Sequence, residues 1–283
     1  MDWTKKDFLG TMKEFVFQGG KIALNLMDRK TVSFKKDNSV ITDADKSISK
    51  LAHRKLKKYL ESSEHILIDE EDPCRRKYLN QKFLEKKKYI WAMDPVDGTR
   101  LYANQMPLFG ISIGLIKDLK PWLGVVYFPS LKELFYCNGI ESYFVANAFS
   151  RNAQEIKIKK QQEKITSKSL FLLSDLFFNS FSWKQRDCRL LITACAVVDI
   201  CWPAIGRGVG CFDQSHLWDF AGAWPVARSA GLDFRHWQTA EILDKVDEKF
   251  FKKGNKAWQL HDYYLLSTKK NFFELQKRIS KKG

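Results

Sequence analysis

No apolar run in the chain approaches the roughly 20 residues of a membrane span, so the sequence offers no spanning helix. Asp2, Lys5, Lys6 and Asp7 interrupt the region where a secretory leader would carry its apolar stretch, and a soluble, cytoplasmic protein is the expectation. Six cysteines, at positions 74, 137, 188, 195, 201 and 211, include no C-x-x-C pair, and no two histidines stand at zinc spacing. That excludes a zinc module, and at 283 residues a disulfide framework is not needed. Reduced, mostly buried thiols are expected instead. There is no internal repeat. The net charge is +15, yet no RNP-like aromatic signature or recognition helix accompanies it. The lysines are dispersed in pairs, among them Lys35-Lys36, Lys57-Lys58 and Lys252-Lys253, which favours a solvated basic surface over a nucleic-acid track. Steering of phosphate esters is a secondary use for such charge.

What the chain does have is a 45% hydrophobic composition, ordinary for a globular protein, arranged in segments of clear period. Residues 7–29 carry a broad apolar face, predicting an amphipathic helix weakened by Gly19-Gly20, and a polar loop is expected at 33–39. Thr42 or Asp43 caps a second predicted helix running to about Leu60, with Asp45 in its first turn. A short strand at 65–68 ends in Asp69-Glu70-Glu71-Asp72, and 73–88 reads as an unpatterned surface excursion. Strands are expected at 109–116, 122–128, 133–136 and 142–145 in an antiparallel or mixed sheet. The polar stretch 151–168 marks a boundary near Ile165. It divides an α+β lobe, 1–165, from an α/β lobe, 166–283. In the second part the pattern predicts strands at 170–173, 209–212 and 263–267. Helices are expected at 195–205, at 218–227 with a kink at Pro225, and at 271–279.

The densest chemistry lies in Asp94-Pro95-Val96-Asp97-Gly98-Thr99, entered from the buried run Tyr89-Ile90-Trp91-Ala92-Met93. Pro95 and Gly98 are expected to end the strand there. Two carboxylates with a carbonyl between them are hard oxygen ligands of the kind Mg²⁺ prefers, and Thr99 adds a hydroxyl able to position water. Gly98 lets the chain pass close to a ligand. A helix starting near Thr99 would turn its free N–H groups toward a phosphate. Each residue alone is also compatible with an Asp-Pro turn and an Asx cap; the whole string is not so easily explained. Asp45, the Glu70 cluster and Asp219 are further acidic points at strand ends or helix starts, where an α/β sheet gathers ligands. Spacing alone does not bring them together.

Trp91-Ala92-Met93-Asp94-Pro95-Val96-Asp97-Gly98-Thr99, with Ile41-Thr42-Asp43-Ala44-Asp45, Ile68-Asp69-Glu70-Glu71 and Trp218-Asp219-Phe220-Ala221-Gly222-Ala223, resembles the inositol monophosphatase family of Mg²⁺-dependent phosphatases. The four motifs occur in the family's order and span nearly the whole chain. The resemblance implies an α/β (α+β) fold, an alternating α-β-α-β-α layered sandwich with the site between two lobes. Most metal ligands would fall in 1–165, with Asp219 and substrate-pocket residues in 166–283. It implies two or three Mg²⁺ ions. Glu70, Asp94 and the Val96 carbonyl would hold one, Asp94, Asp97 and Asp219 a second, and Glu70 would help with a third. Thr99 and Asp45, with Glu70, would be catalytic, orienting and deprotonating a metal-activated water. The N–H groups of Gly98 and Thr99 would receive the phosphate. Ala194, Ala196 and Asp213 fall where the substrate pocket would lie, and a homodimer is implied.

Departures bear on substrate. Asp69 stands where the family usually has Gly, and is expected to point to solvent; Asp213 is a methylene shorter than the Glu of the inositol type. Inositol 1-phosphate is the default substrate. Histidinol phosphate, phosphoadenosine phosphate, NADP and fructose bisphosphate phosphatases share the metal motifs. From another class, a basic nucleic-acid-binding protein with a vestigial metal site predicts a missing ligand, and none is missing.

Overall fold

A computed structural model describes residues 3–27, 32–34, 40–162, 164–184 and 187–282. Helix α1 (Lys5–Leu26) starts earlier than its apolar face because Thr4 caps it: the Asp7 N–H donates to the Thr4 hydroxyl at 3.3 Å, and the Thr4 N–H donates back to Asp7 Oδ2 at 2.9 Å. Met27 closes it, and the last predicted positions, 28 and 29, lie outside the described residues. Gly20 is no weak point. A Cβ there would stand 2.6 Å from the Tyr127 ring, so the glycine is what lets α1 settle onto the sheet.

Strands β1 (Val32–Phe34) and β2 (Val40–Thr42) pair antiparallel. The expected polar loop therefore loses its first two residues to β1, and 35–39 lie outside the described residues. Then follow α2 (Asp43–Leu60), β3 (His65–Asp69), a 3-10 turn at Arg75–Tyr78 and α3 (Gln81–Leu84). The stretch 73–88 is thus structured, and it is docked. Leu84 is fully buried, Trp258 Nε1–H donates to the Arg75 carbonyl at 2.9 Å, and Gln81 and Glu248 exchange hydrogen bonds of 2.9 and 3.1 Å. These partners lie too far along the chain for local pattern to reveal.

The chain continues through β4 (Tyr89–Asp97), α4 (Thr99–Ala103), β5 (Gly110–Lys117), β6 (Lys120–Phe128), β7 (Glu133–Cys137), β8 (Ser142–Ala146) and β9 (Gln154–Lys157). Strands β3 to β9 form a seven-stranded sheet in chain order, parallel between β3 and β4 and antiparallel elsewhere. The remaining strands and α-helices are β10 (Leu170–Leu173), α5 (Phe177–Ser180), β11 (Phe181–Trp183), β12 (Arg189–Ile192), α6 (Ala196–Ala204), β13 (Gly210–Asp213), α7 (Leu217–Ala221), α8 (Trp224–Ser229), β14 (Asp233–His236), β15 (Tyr264–Ser267), α9 (Lys269–Gln276) and β16 (Ile279–Lys281). A five-stranded sheet runs β12-β10-β13-β15-β14, and β11 pairs with β16. Two expectations change here. The helix expected at 218–227 is two helices, with Pro225 in the first turn of α8 where its missing N–H costs nothing. The expected 271–279 helix stops at Gln276, and Ile279 joins β16.

Side-chain alternation explains the layering. On one face of the first sheet Trp91, Met93, Ile111, Ile113 and Val125 pack against α1 and α2; on the other Ile90, Ala92, Val126 and Phe128 pack against α6, α7 and α8. Those helices are covered in turn by Leu172, Cys211 and Leu266 of the second sheet, whose opposite face, Phe171, Leu173, Phe212 and Leu265, packs on α5 and α9. The order is helices, sheet, helices, sheet, helices, which is the alternating sandwich expected. Cys74 is exposed and the other five cysteines are buried, all of them free thiols. No helix among the described residues is long and apolar enough to cross a membrane.

Candidate active site

Pro95 does not end β4. The β4–β5 ladder holds register to Asp94/Ser112 and resumes at Asp97/Gly110, and the proline sits in the irregularity between, where no ladder N–H is required. The irregularity leaves Pro95 and Val96 out of the register between the two acidic residues, at the end of the strand. The Val96 N–H donates to Asp94 Oδ1 at 2.9 Å, and the Thr99 hydroxyl donates to the Val96 carbonyl at 2.8 Å. Gly98 takes φ +84°, and α4 begins on the next residue, Thr99.

Other elements close on this turn. The Val197 N–H, in the first turn of α6, donates to Asp97 Oδ2 at 2.5 Å, and the Cys195 thiol donates to the same oxygen at 3.3 Å. Asp219 lies in the first turn of α7, its Oδ2 accepting the His216 N–H at 2.7 Å. Asp45 lies in the first turn of α2, its Oδ2 accepting the Thr42 N–H at 2.7 Å and the Thr42 hydroxyl at 2.5 Å. Glu70 follows β3, and its N–H donates to the Met93 carbonyl at 3.3 Å. Side-chain oxygens of Asp45, Asp94, Asp97 and Asp219 are therefore each oriented by a backbone N–H.

The acidic points converge electrostatically on Asp94. Burial first, and then the charges of Glu70, Asp97, Asp219 and Asp45, push its carboxyl well above the ordinary carboxylate range. None of these leading contributions comes from a lysine or arginine. Asp97 is pushed up to about 7 by burial, with Asp219 adding. A buried carboxylate whose leading electrostatic neighbours are all acidic calls for a cation from solution. Among the described residues no three His, Cys, Asp or Glu side chains form a ready-made metal cage. Spread, hard oxygen donors fit Mg²⁺, which retains several of its waters and binds through one or two carboxylates, better than they fit a tetrahedral nitrogen–sulfur ion.

Beside Asp97 and Asp219 opens a pocket of about 280 Å³, lined also by Ala194, Ala196 and Asp213. Ala194 occupies left-handed backbone at φ +54°, and Asp213, at the end of β13, accepts the Gln214 N–H at 2.7 Å. Burial pushes Asp213 up to about 6. Asp45, Glu70, Asp94, Val96, Gly98 and Thr99 do not line this pocket. Asp199, Ser174, Asp175 and Tyr263 do, and sequence reasoning missed them. Asp199 is buried, accepts the Thr193 hydroxyl at 2.5 Å, and is held well above the usual carboxylate range by burial. The available signal was an acid inside the apolar run 195–205.

Asp69 does not point to solvent. It is fully buried, accepting the Ser49 hydroxyl and lying 3.3 Å from His53 Nε2. That hydrogen bond raises the His53 pKa.

The sequence model of the inositol monophosphatase family matches residues 6–264. The chain belongs to the inositol monophosphatase family. It is accordingly a phosphoric monoester hydrolase. It is 29% identical over 238 residues to inositol monophosphatase 1 of Solanum lycopersicum, covering 80% of each chain. It is 28% identical over 204 residues to the fructose-1,6-bisphosphatase/inositol-1-monophosphatase of Aquifex aeolicus, covering 65% of this chain and 68% of that one. An inositol monophosphatase structure from Anabaena (Nostoc) sp. PCC 7120 superposes with a TM-score of 0.65 at 20% identity, over 96% of this chain and 95% of that one. At that identity the likeness speaks for the fold alone, and it agrees with the five layers of this member of the family.

Proposed function

We propose that this inositol monophosphatase-family phosphatase hydrolyses a small phosphate monoester with Mg²⁺, and that inositol 1-phosphate is its substrate. The observation that carries the reading is Asp94, a carboxylate pushed toward protonation by burial and then by four other acids, without a basic residue among its leading neighbours. Glu70, Asp94, the Val96 carbonyl, Asp97 and Asp219 would hold two or three ions. When bound, Mg²⁺ would neutralise phosphate charge and lower the pKa of coordinated water.

The remaining chemistry belongs to the chain. Asp45, oriented by Thr42, accepts the proton of the attacking water, and the Thr99 hydroxyl orients that water. The start of α4, at Gly98 and Thr99, receives the phosphate oxygens through backbone N–H groups. A new P–O bond forms to the water oxygen as the ester P–O bond breaks, and the leaving oxygen takes up a proton from a second water molecule. The pocket lined by Ala194, Ala196 and Asp213 receives the alcohol, where the Asp213 carboxylate accepts hydrogen bonds from hydroxyls.

A second reading, fructose 1,6-bisphosphate, is favoured by the name of the Aquifex aeolicus relative. Phosphate release decides between them when inositol 1-phosphate, fructose 1,6-bisphosphate, histidinol phosphate, phosphoadenosine phosphate and NADP are compared with Mg²⁺ and with EDTA. The reading expects inositol 1-phosphate to have the highest kcat/KM. If no ester turns over faster with Mg²⁺, the reading is wrong.

A further inference from the structure

We propose that Asp69 is a positioning residue: its buried carboxylate ties the turn that carries Glu70 to helix α2, and α2 thereby sets Glu70 relative to Asp45. The inference rests on the roles given to Glu70 and Asp45 above. Asp69 is 0% exposed, and both of its carboxylate oxygens are used. Oδ2 faces α2, accepting the Ser49 hydroxyl at 2.5 Å with His53 Nε2 at 3.3 Å. Oδ1 faces the turn and accepts the Glu71 N–H at 2.9 Å, while the Asp69 carbonyl accepts the Asp72 N–H at 3.1 Å. The residue between these anchors is Glu70.

On α2 the grip has a regular origin. Asp45, Ser49 and His53 recur every four residues, which places them along one face of the helix. Asp45 stands in its first turn, and the two residues that hold Asp69 stand one and two turns further on. One rigid element therefore carries a residue of the site at its start and a clamp on the turn beside another. Two oxygens fixed by three protein partners add to the 3.3 Å bond from the Glu70 N–H to the Met93 carbonyl in holding the turn. A glycine at position 69 would supply no side chain for the clamp. Groups that orient a ligand without touching the metal commonly change metal affinity by roughly 10-fold or more when removed.

The test uses the full chain with Asp69→Asn, Ser49→Ala and the double variant. Amide exchange of the segment 69–72 is followed in EDTA, and Mg²⁺ binding is followed by titration calorimetry. Each single variant should keep the wild-type circular dichroism, exchange several-fold faster at 70–72, and bind Mg²⁺ roughly 10-fold more weakly. The double variant should be no worse than Asp69→Asn, because both changes act through one oxygen. Wild-type exchange together with Mg²⁺ affinity within about two-fold of wild type in the folded single variants would overturn the proposal, as would effects that simply add. If Asp69→Asn does not fold, Ser49→Ala and His53→Gln decide by the same two measurements. A wild type that binds no Mg²⁺ sinks the metal reading instead, and the exchange experiment in EDTA still judges the tie by itself.

Discussion

Asp97→Asn should stabilise the metal-free protein at neutral pH while weakening its response to Mg²⁺. The Asp97 carboxyl, ordinarily near 3.8, is pushed up to about 7 by burial and by Asp219. A folded-state pKa above the unfolded one means that the native state holds the proton more tightly. The associated stability is complete below 3.8 and is lost as pH rises through about 7. Across that interval, at about 1.4 kcal/mol per pH unit, the loss approaches about 4 kcal/mol. Asparagine has no such proton to lose. It can turn its carbonyl oxygen to the Val197 N–H that now donates to Asp97 Oδ2 at 2.5 Å. In EDTA the wild type should therefore lose stability between pH 4 and pH 8 relative to the variant, by a Tm difference on the order of 10 °C at the upper pH. Adding Mg²⁺ at pH 8 should raise the wild-type Tm more than the variant's, because the variant keeps Glu70, Asp94 and the Val96 carbonyl but loses a ligand of the second ion. Differential scanning calorimetry in both media reads the effect. Parallel pH profiles for the two proteins in EDTA would refute the argument that a buried, uncompensated carboxylate sits at this position.

Asp94→Asn should reduce Mg²⁺-dependent phosphate release to background with the circular dichroism unchanged, because Asp94 stands among all four other acids of the site. Asp213→Ala should lower kcat/KM for the preferred ester by about 10-fold or more, the value of a hydrogen bond to a charged group. The Mg²⁺ concentration for half-activity should stay put, which a titration of activity against Mg²⁺ would check. Gly20→Ala should cost stability in a urea melt despite a helix-propensity gain of up to about 1 kcal/mol. Its Cβ would meet the buried Tyr127 ring at 2.6 Å, and overpacking costs about 1–3 kcal/mol. Thr4→Ala removes the α1 cap and should lower the same urea-derived stability by about 1 kcal/mol.

Much of the architecture was legible because it rests on period and punctuation. The strands around 109–146 alternate along β5 to β8, Thr42 caps α2, and α4 begins on the threonine of the Asp-Gly-Thr string. The errors share a cause. Gly20 reads as a helix breaker until Tyr127 is seen against it. Pro95 reads as a strand terminator until the β5 register shows the irregularity that accommodates it. Asp69 reads as solvated until Ser49 and His53 are found around it. In each case the deciding partner is at least sixteen residues away or on another element.

By itself, then, the sequence determined the class of chemistry and the run of helices and strands, because both depend on local residue types: hard oxygen donors at turns, and apolar faces whose period selects helix or strand; the layered arrangement followed only from the resemblance of its four motifs to the family. Tertiary structure decided which acids share one electrostatic field, since Coulomb interactions depend on separation in space, and burial on what the chain folds over them. It placed Asp199 in the wall of the pocket, buried Asp69, and set Asp94 among Glu70, Asp97, Asp219 and Asp45. Those placements depend on two sheets and the helices between them closing together, and no window of sequence contains that information.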